Sequence, residues 1–512
     1  MFRFRNASAF AACSAALAIL VSGCSGSRSL LPVTGGQSAA GAARHARLVH
    51  GVARIAHQPP VGMQLGFLMT DGTVVTQSYS SNTWYRYTPD ANGDYANGTW
   101  TQIATLPSGY APSAFASAVL ADGRLLITGG EYNTPGNYDL QLVNLGAVYD
   151  PVANTWTSIG HPRNWHWIGD SPSSVLPDGR LLVGQKLTHQ DAALDPKTLQ
   201  WTLLGNKGKS DFNAEEGFTL LPDGTVLTAD VKNAPNSERY NPATGTWKSA
   251  GSTIVDLHSP SPYKQCLTYG PKPADCYLPP GEIGPAMLRP DGTVFATGSG
   301  PAAGGPGHTA IFHPSGSGGS WTTGPDFPNG DNAGDSFAAL LPSGNVLVLG
   351  VTGTLYEFNG SSFQSEGIAS GPPLLLPTGQ VLMLGYSSVS LYTPSGQAQS
   401  SWLPTISSAP TTVTRGQTYT ISGKQFNGLS QAMAFGDEFQ NPTNYPLVRI
   451  TNNATGHVFY ARTHDHSSMG VATGSLKVST RFDVPSNMET GASTLEVVAN
   501  GIASKPKNIT VQ

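Results

Sequence analysis

Residues Ser173 to Gly184 read SSVLPDGRLLVG: an apolar run, a Pro-Asp-Gly turn and a second apolar run. The phrase recurs as LMTDGTVV from Leu68, VLADGRLLITGG from Val119, LLPDGTVLT from Leu220, MLRPDGTVF from Met287, LLPSGNVLVLG from Leu340 and LLPTGQVLMLG from Leu375. Proline presets the φ of the turn, aspartate caps the bend and glycine accepts positive φ, so each copy predicts a tight β-hairpin. Two more signals follow every hairpin. One is an apolar or aromatic residue at Tyr87, Tyr149, Leu194, Tyr240, Phe312, Phe358 and Tyr392, set just before a turn. The other is a further aromatic at Trp100, Trp156, Trp201, Trp247, Trp321, Phe363 and Trp402. Seven units of about four short strands predict a seven-bladed β-propeller over residues 59–402.

The composition agrees with an all-β chain dense in turns. The 512 residues include 60 glycines and 39 prolines, and only 12% are charged. A net charge of −4 without a basic block gives no electrostatic reason to expect nucleic acid as a partner. Beyond Trp402 the hairpin phrase stops. Longer alternating strands take over in QTYTISG, YPLVRIT, HVFYART, LKVSTRFDV and STLEVVANG, which predicts an immunoglobulin-like sandwich over 403–512.

Residues 1–24 have the layout of a targeting segment, with Arg3 and Arg5 ahead of an apolar run from Ala9 to Val21. Val21-Ser22-Gly23-Cys24 resembles a bacterial lipobox, which makes Cys24 the expected lipidation site. The alternative is an ordinary cleaved signal. Either way the chain leaves the cytoplasm, and the lipobox reading makes it a cell-envelope lipoprotein of the outer membrane, facing the periplasm or the surface, whose membrane contact is its lipid anchor alone. Residues 25–58, rich in Ser, Gly and Ala, read as a flexible tether. Cys266 and Cys276 lie in a Pro-rich insertion and, in an oxidising compartment, are expected to form a disulfide.

The propeller-plus-sandwich order resembles the galactose oxidase and glyoxal oxidase family, with its Kelch-type repeats and C-terminal early set domain. The blade phrase carries the resemblance, together with Arg462-Thr-His-Asp-His-Ser-Ser468, which looks like the family's loop bringing a histidine to the propeller axis. By that resemblance the radical-copper cofactor is not expected. Ala114 stands at the position of the family's cysteine, Asp170 at that of its cross-linked tyrosine, and Ala369 and Ser370 at its Tyr-His pair. The same column carries Asp170, Glu215 with Glu216, Asp335 and, with one inserted residue, Glu282. If His464, Asp465 and His466 enter the axis, these carboxylates with His464 and His466 are candidate ligands for a divalent metal, or else partners in a hydrogen-bonded plug. Trp165 and Trp167 lie outside the blade positions and are candidate ligand-binding residues for sugar rings, or packing residues between blades. These readings point to an envelope binding or scaffold module for carbohydrate or polymer, with an oxidoreductase built on a remodelled axial metal site as the alternative.

Overall fold

The computed structural model describes residues 50–512 apart from 80, 135–140, 260–264, 267–275, 278–280, 302–303, 317 and 435–439. The targeting segment, Cys24 and most of the expected tether therefore lie outside the described residues. Each hairpin phrase supplies the two inner strands of a blade. In blade 3, Ser173–Val175 pairs with Leu181–Gly184, which pairs with Asp191–Leu194, which pairs with Trp201–Leu203. The turn forms as its residues dictate. Asp178 Oδ1 accepts the Arg180 amide at 3.1 Å, and Gly179 sits at φ +90° with its amide donated to Leu176 O at 2.8 Å. Asp71, Asp122, Asp223 and Asp291 accept the amide two residues on in the same way.

The two signals meet across the outer strand pair of blades 1 to 6, and in blades 1, 2, 4 and 5 both are aromatic with the second a tryptophan. Tyr87 is opposite Trp100, Tyr149 opposite Trp156, Tyr240 opposite Trp247 and Phe312 opposite Trp321, with ring centroids 4.4 to 5.1 Å apart. The indole N–H then reaches the previous blade. Trp156 donates to Ala104 O at 3.0 Å, Trp201 to Gly160 O at 2.7 Å, Trp247 to Asp191 Oδ2 at 3.0 Å and Trp321 to Ser237 Oγ at 2.9 Å. The rung thus buries apolar ring inside one blade and uses its polar edge to tie on the next.

The four-strand sheets of blades 1 to 5 run Met63–Leu68 to Thr99–Gln102, Ala116–Val119 to Thr155–Ser158, Ser173–Val175 to Trp201–Leu203, Thr219–Leu220 to Thr246–Ser252 and Ala286–Leu288 to Gly318–Thr323. Blade 6 runs Ala338–Leu340 to Phe363–Ile368. Blade 7 departs from the sequence expectation. Its outer strand is Gly51–Arg54, antiparallel to Val389–Thr393, whereas Trp402 sits in a 3₁₀ turn, Ser400–Trp402. The tether expected through residue 58 therefore gives up its end to the propeller. The ring closes by mixing the two ends of the domain in one sheet, which leaves no open blade edge between them.

The five expected C-terminal strands are present, and Lys507–Val511 joins them. Leu447–Asn452, Val458–His464, Val478–Asp483, Thr418–Lys424, Gly491–Ala499 and Lys507–Val511 curl into a sandwich around Ile421, Val448, Phe482, Leu495 and Val497. It rests on the hairpin turns of the propeller: Thr463 N donates to Thr70 O at 3.1 Å, His466 N to Ala121 O at 3.1 Å and Met469 N to Pro177 O at 3.0 Å. In the insertion before blade 5, Gln265–Cys266 pairs with Cys276–Tyr277, and the register sets the backbone of Cys266 directly opposite that of Cys276.

Candidate functional site

The inner strands run from the open mouth of the propeller to the turns beneath the sandwich. The sandwich sends a segment among them, and it is not the histidine loop. Gln431 Nε2 donates to Ser174 Oγ at 3.2 Å, its Oε1 accepts the Leu220 amide at 3.1 Å, and Ser117 Oγ donates to Gln440 O at 2.7 Å. Asn441 Nδ2 donates to Gly66 O at 2.8 Å, and the backbone of Met433–Ala434 pairs with the inner strand of blade 6. Inner strands present an unpaired edge to the axis, and amide side chains plus one added strand satisfy it.

His464 and His466 stay at the turn end. His466 Nδ1 is 2.8 Å from Thr480 Oγ1, and its ring stacks parallel on Tyr445 with centroids 6.3 Å apart. Burial holds its pKa down to about 3, so the imidazole is neutral. His464 bridges Asp465 at 2.9 Å and Asp483 at 3.1 Å. Asp170 stands before its inner strand, and Pro177, against which Met469 packs, stands after it. At strand rise those ends are roughly 20 Å apart. The histidines and the carboxylates are therefore not brought together, and among the described residues no three His, Cys, Asp or Glu side chains are placed to share a metal ion.

The carboxylates do converge, around a lysine that the sequence reading passed over. Lys186 Nζ lies 2.7 Å from Asp170 Oδ2, 2.8 Å from Glu215 Oε2 and 3.1 Å from Ala214 O. Asp170 is 2% exposed, and its other oxygen, Oδ1, has no hydrogen-bond partner among the described residues. Burial pushes the Asp170 carboxyl up to about 6 against the pull of Lys186, with Glu215 adding to the rise. Asp335 is pushed up to about 7 by burial, then by Glu215 and Asp170. Glu131 and Glu282 are raised well above the usual carboxylate range, Glu131 by burial and Asp170, Glu282 by burial, Glu215 and Asp335. Glu282 and Asp335 are crowded by neighbouring protein yet exposed to solvent, and both stand just ahead of the inner strands of their blades. Asp335 is held there at φ +54°, a left-handed conformation that costs a non-glycine residue on the order of 1 kcal/mol.

Glu216 faces elsewhere. Its Oε2 accepts the Ala214 amide at 2.6 Å, and it shares a buried pocket of blade 4 with Asp211, Asp230 and Lys209. Burial lifts Glu216 to about 8 and Asp230 to about 9, while the Lys209 ammonium lies 3.9 Å from the centre of the Trp247 ring.

Trp165 is 1% exposed with its indole donated to Gln190 Oε1 at 3.0 Å, so it packs between blades and offers no face to a ligand. Trp167 is half-buried and donates to Lys186 O at 2.9 Å, fixing the lysine's backbone. Among the described residues the exposed aromatics are instead Tyr79, 41% exposed, and Tyr386, 66% exposed, which meet edge to face at 5.1 Å. Their signal is in the repeat. Counting from the turn glycine, Gly72 to Tyr79, Gly179 to Lys186, Gly344 to Val351 and Gly379 to Tyr386 are the same step, so all four stand at the mouth-side end of a second strand. The rim is thus acidic across blades 2 to 6 and aromatic at blades 7 and 1.

No protein-family profile matches the chain, and no curated protein matches it in sequence. Among solved structures it is similar to a fungal alcohol oxidase of the AA5 family in complex with copper, at 14% identity and a TM-score of 0.48, over 90% of this chain and 98% of that one. It is also similar to virginiamycin B lyase from Staphylococcus aureus, at 10% identity and 0.45, over 67% and 98%. A third is the extracellular domain of a putative one-component system from B. thetaiotaomicron, at 12% and 0.42, over 88% and 56%.

Proposed function

We propose that the chain is an exported binding module of the cell envelope, built on a galactose oxidase-like scaffold, which takes a glycan or related polymer at the axial mouth. One observation carries this reading: the exposed Tyr79–Tyr386 pair stands at the same level of the propeller as the carboxylates of Glu131, Asp170, Glu215, Glu282 and Asp335. Aromatic faces pack against the C–H faces of sugar rings, and carboxylates accept hydrogen bonds from their hydroxyls. The copper-radical cofactor is not part of this reading, because by the resemblance Ala114, Asp170, Ala369 and Ser370 stand where the family has its cysteine, its cross-linked tyrosine and its Tyr-His pair. Titration calorimetry of the purified chain against a panel of soluble oligosaccharides tests the reading. A ligand is expected to bind, and Tyr386→Ala to weaken it about tenfold, the equivalent of ~1.4 kcal/mol for one lost aromatic contact. A panel with no binder overturns the proposal.

The envelope location rests on the lipobox. Fractionation of cells expressing Cys24→Ala is expected to find the protein unprocessed or soluble in the envelope, since acyl chains supply the anchor. Unchanged partitioning would refute the anchor and leave the glycan reading intact.

A further inference from the structure

Resting on that reading, we propose that the ligand is a glycan bearing free amino groups, whose ammonium is received by the carboxylates of the axial mouth beside Lys186. The mouth already contains one worked case of ammonium recognition, its own. Lys186 Nζ is held by two carboxylate oxygens and a carbonyl at 2.7, 2.8 and 3.1 Å, the short charge-assisted contacts a primary ammonium prefers. That single cation does not satisfy the acceptors around it. Among the described residues Asp170 Oδ1 is buried with no partner at normal hydrogen-bond geometry, and a buried carboxylate oxygen so placed favours a further donor. Glu131, Glu282 and Asp335 add three more carboxyl groups whose fields reach Lys186.

Charge then discriminates among ligands. An anionic polymer would bring more negative charge to a cluster whose carboxyl groups already raise one another's pKa. A neutral glycan leaves the imbalance as it was, whereas an amino sugar supplies both the missing charge and directional donors. A bare metal ion fits less well, because no three of these side chains are placed to share one. The Tyr79–Tyr386 pair distinguishes a sugar amine from a simple cation: it offers an exposed aromatic surface at the same level of the propeller, and aromatic faces also favour an ammonium.

The test uses the chain purified without its targeting segment and three hexasaccharides of the same β-1,4 linkage: glucosamine, N-acetylglucosamine and glucose. At neutral pH and low salt the glucosamine oligomer is expected to bind at least tenfold more tightly than the other two. That advantage should collapse in 0.5 M NaCl, because the Debye length falls to a few ångströms. Asp335→Asn with Glu282→Gln, both solvent-accessible positions whose folding is checked by circular dichroism, should erase the preference while Tyr386→Ala weakens all binding. Equal affinity for the three oligomers overturns the amino-sugar inference and leaves the glycan reading standing. If no sugar binds, both fall. Oligolysine binding as tightly as glucosamine oligomers, and indifferent to Tyr386→Ala, would show a cation site with no role for the sugar ring and also overturns it.

Discussion

Lys186→Met is expected to cost about 3–5 kcal/mol of folding stability, because it removes one partner of a buried charge network and leaves the others without compensation. Methionine keeps most of the stem volume, so the loss reports the ammonium and little else. Asp170 is 2% exposed and would lose its contact at 2.7 Å, while Glu215 loses one at 2.8 Å and Ala214 O one at 3.1 Å. The penalty has a pH signature. Lys186 lowers the Asp170 pKa, which stands at about 6 in the folded chain. Below that value the carboxyl is protonated and little pairing remains to lose; above it the variant must bury an unpaired carboxylate or hold a proton. The gap between variant and parent in urea midpoint should therefore widen from pH 5 to pH 8. Combining Lys186→Met with Asp170→Asn should recover part of the loss. A variant as stable as its parent at pH 8 would mean that the lysine is not a buried partner at all.

The second large effect is on the parent chain itself. Asp170, Glu216 and Asp230 are buried carboxyl groups raised to about 6, 8 and 9, chiefly by burial. Unfolded, they titrate near pH 4. Between that pH and each folded value the native chain binds more protons than the unfolded one, so each group lowers stability as pH rises through its window. Asp170 acts from about 4 to 6, Glu216 to about 8 and Asp230 to about 9. His466 acts in the opposite sense: held down to about 3, it subtracts stability as pH falls from its unfolded value near 6.5. One histidine does not offset three carboxyls. From these four groups stability is expected to be greatest near pH 4 and to decline toward pH 8, by about 1.4 kcal/mol per pH unit for each net proton, and so by roughly 3 kcal/mol per unit while two act together. Asp230→Asn, which keeps the shape and removes the titration, should flatten the upper part of that decline. A urea midpoint that rises from pH 5 to 8 would contradict the account.

The sequence made the blades legible because their determinants are local. A Pro-Asp-Gly turn closes through contacts within a few residues, as the Asp178 to Arg180 bond does, and an aromatic rung such as Tyr149 with Trp156 is set by the register of one hairpin. The carboxylate column was legible for the same reason: Asp170, Glu215 and Asp335 sit at a fixed step from their turns, and the repeat carries that step around the ring. Tyr79, Lys186 and Tyr386 could have been read by applying the same counting to the second strand of each hairpin.

Three features were decided by long-range packing. The strand that closes blade 7 comes from Gly51–Arg54, more than three hundred residues from Val389–Thr393 in the chain, and nothing local marks it as a partner. Arg462 to Ser468 resembles an axial loop, yet its histidines are held at the turn end by Thr480, Tyr445 and Asp483, while Gln431 and Asn441 reach the inner strands. Trp165 carries the same side chain in the core as it would on a surface, and only its position between blades hides it. What the sequence alone determined was therefore every element whose hydrogen bonds and rings find partners within one hairpin. Which end of the axis each chemical group occupies depended on where the sandwich docks on the turns. That depended on unpaired strand edges and buried amides, whose partners are far away in the chain and are satisfied only once it has folded.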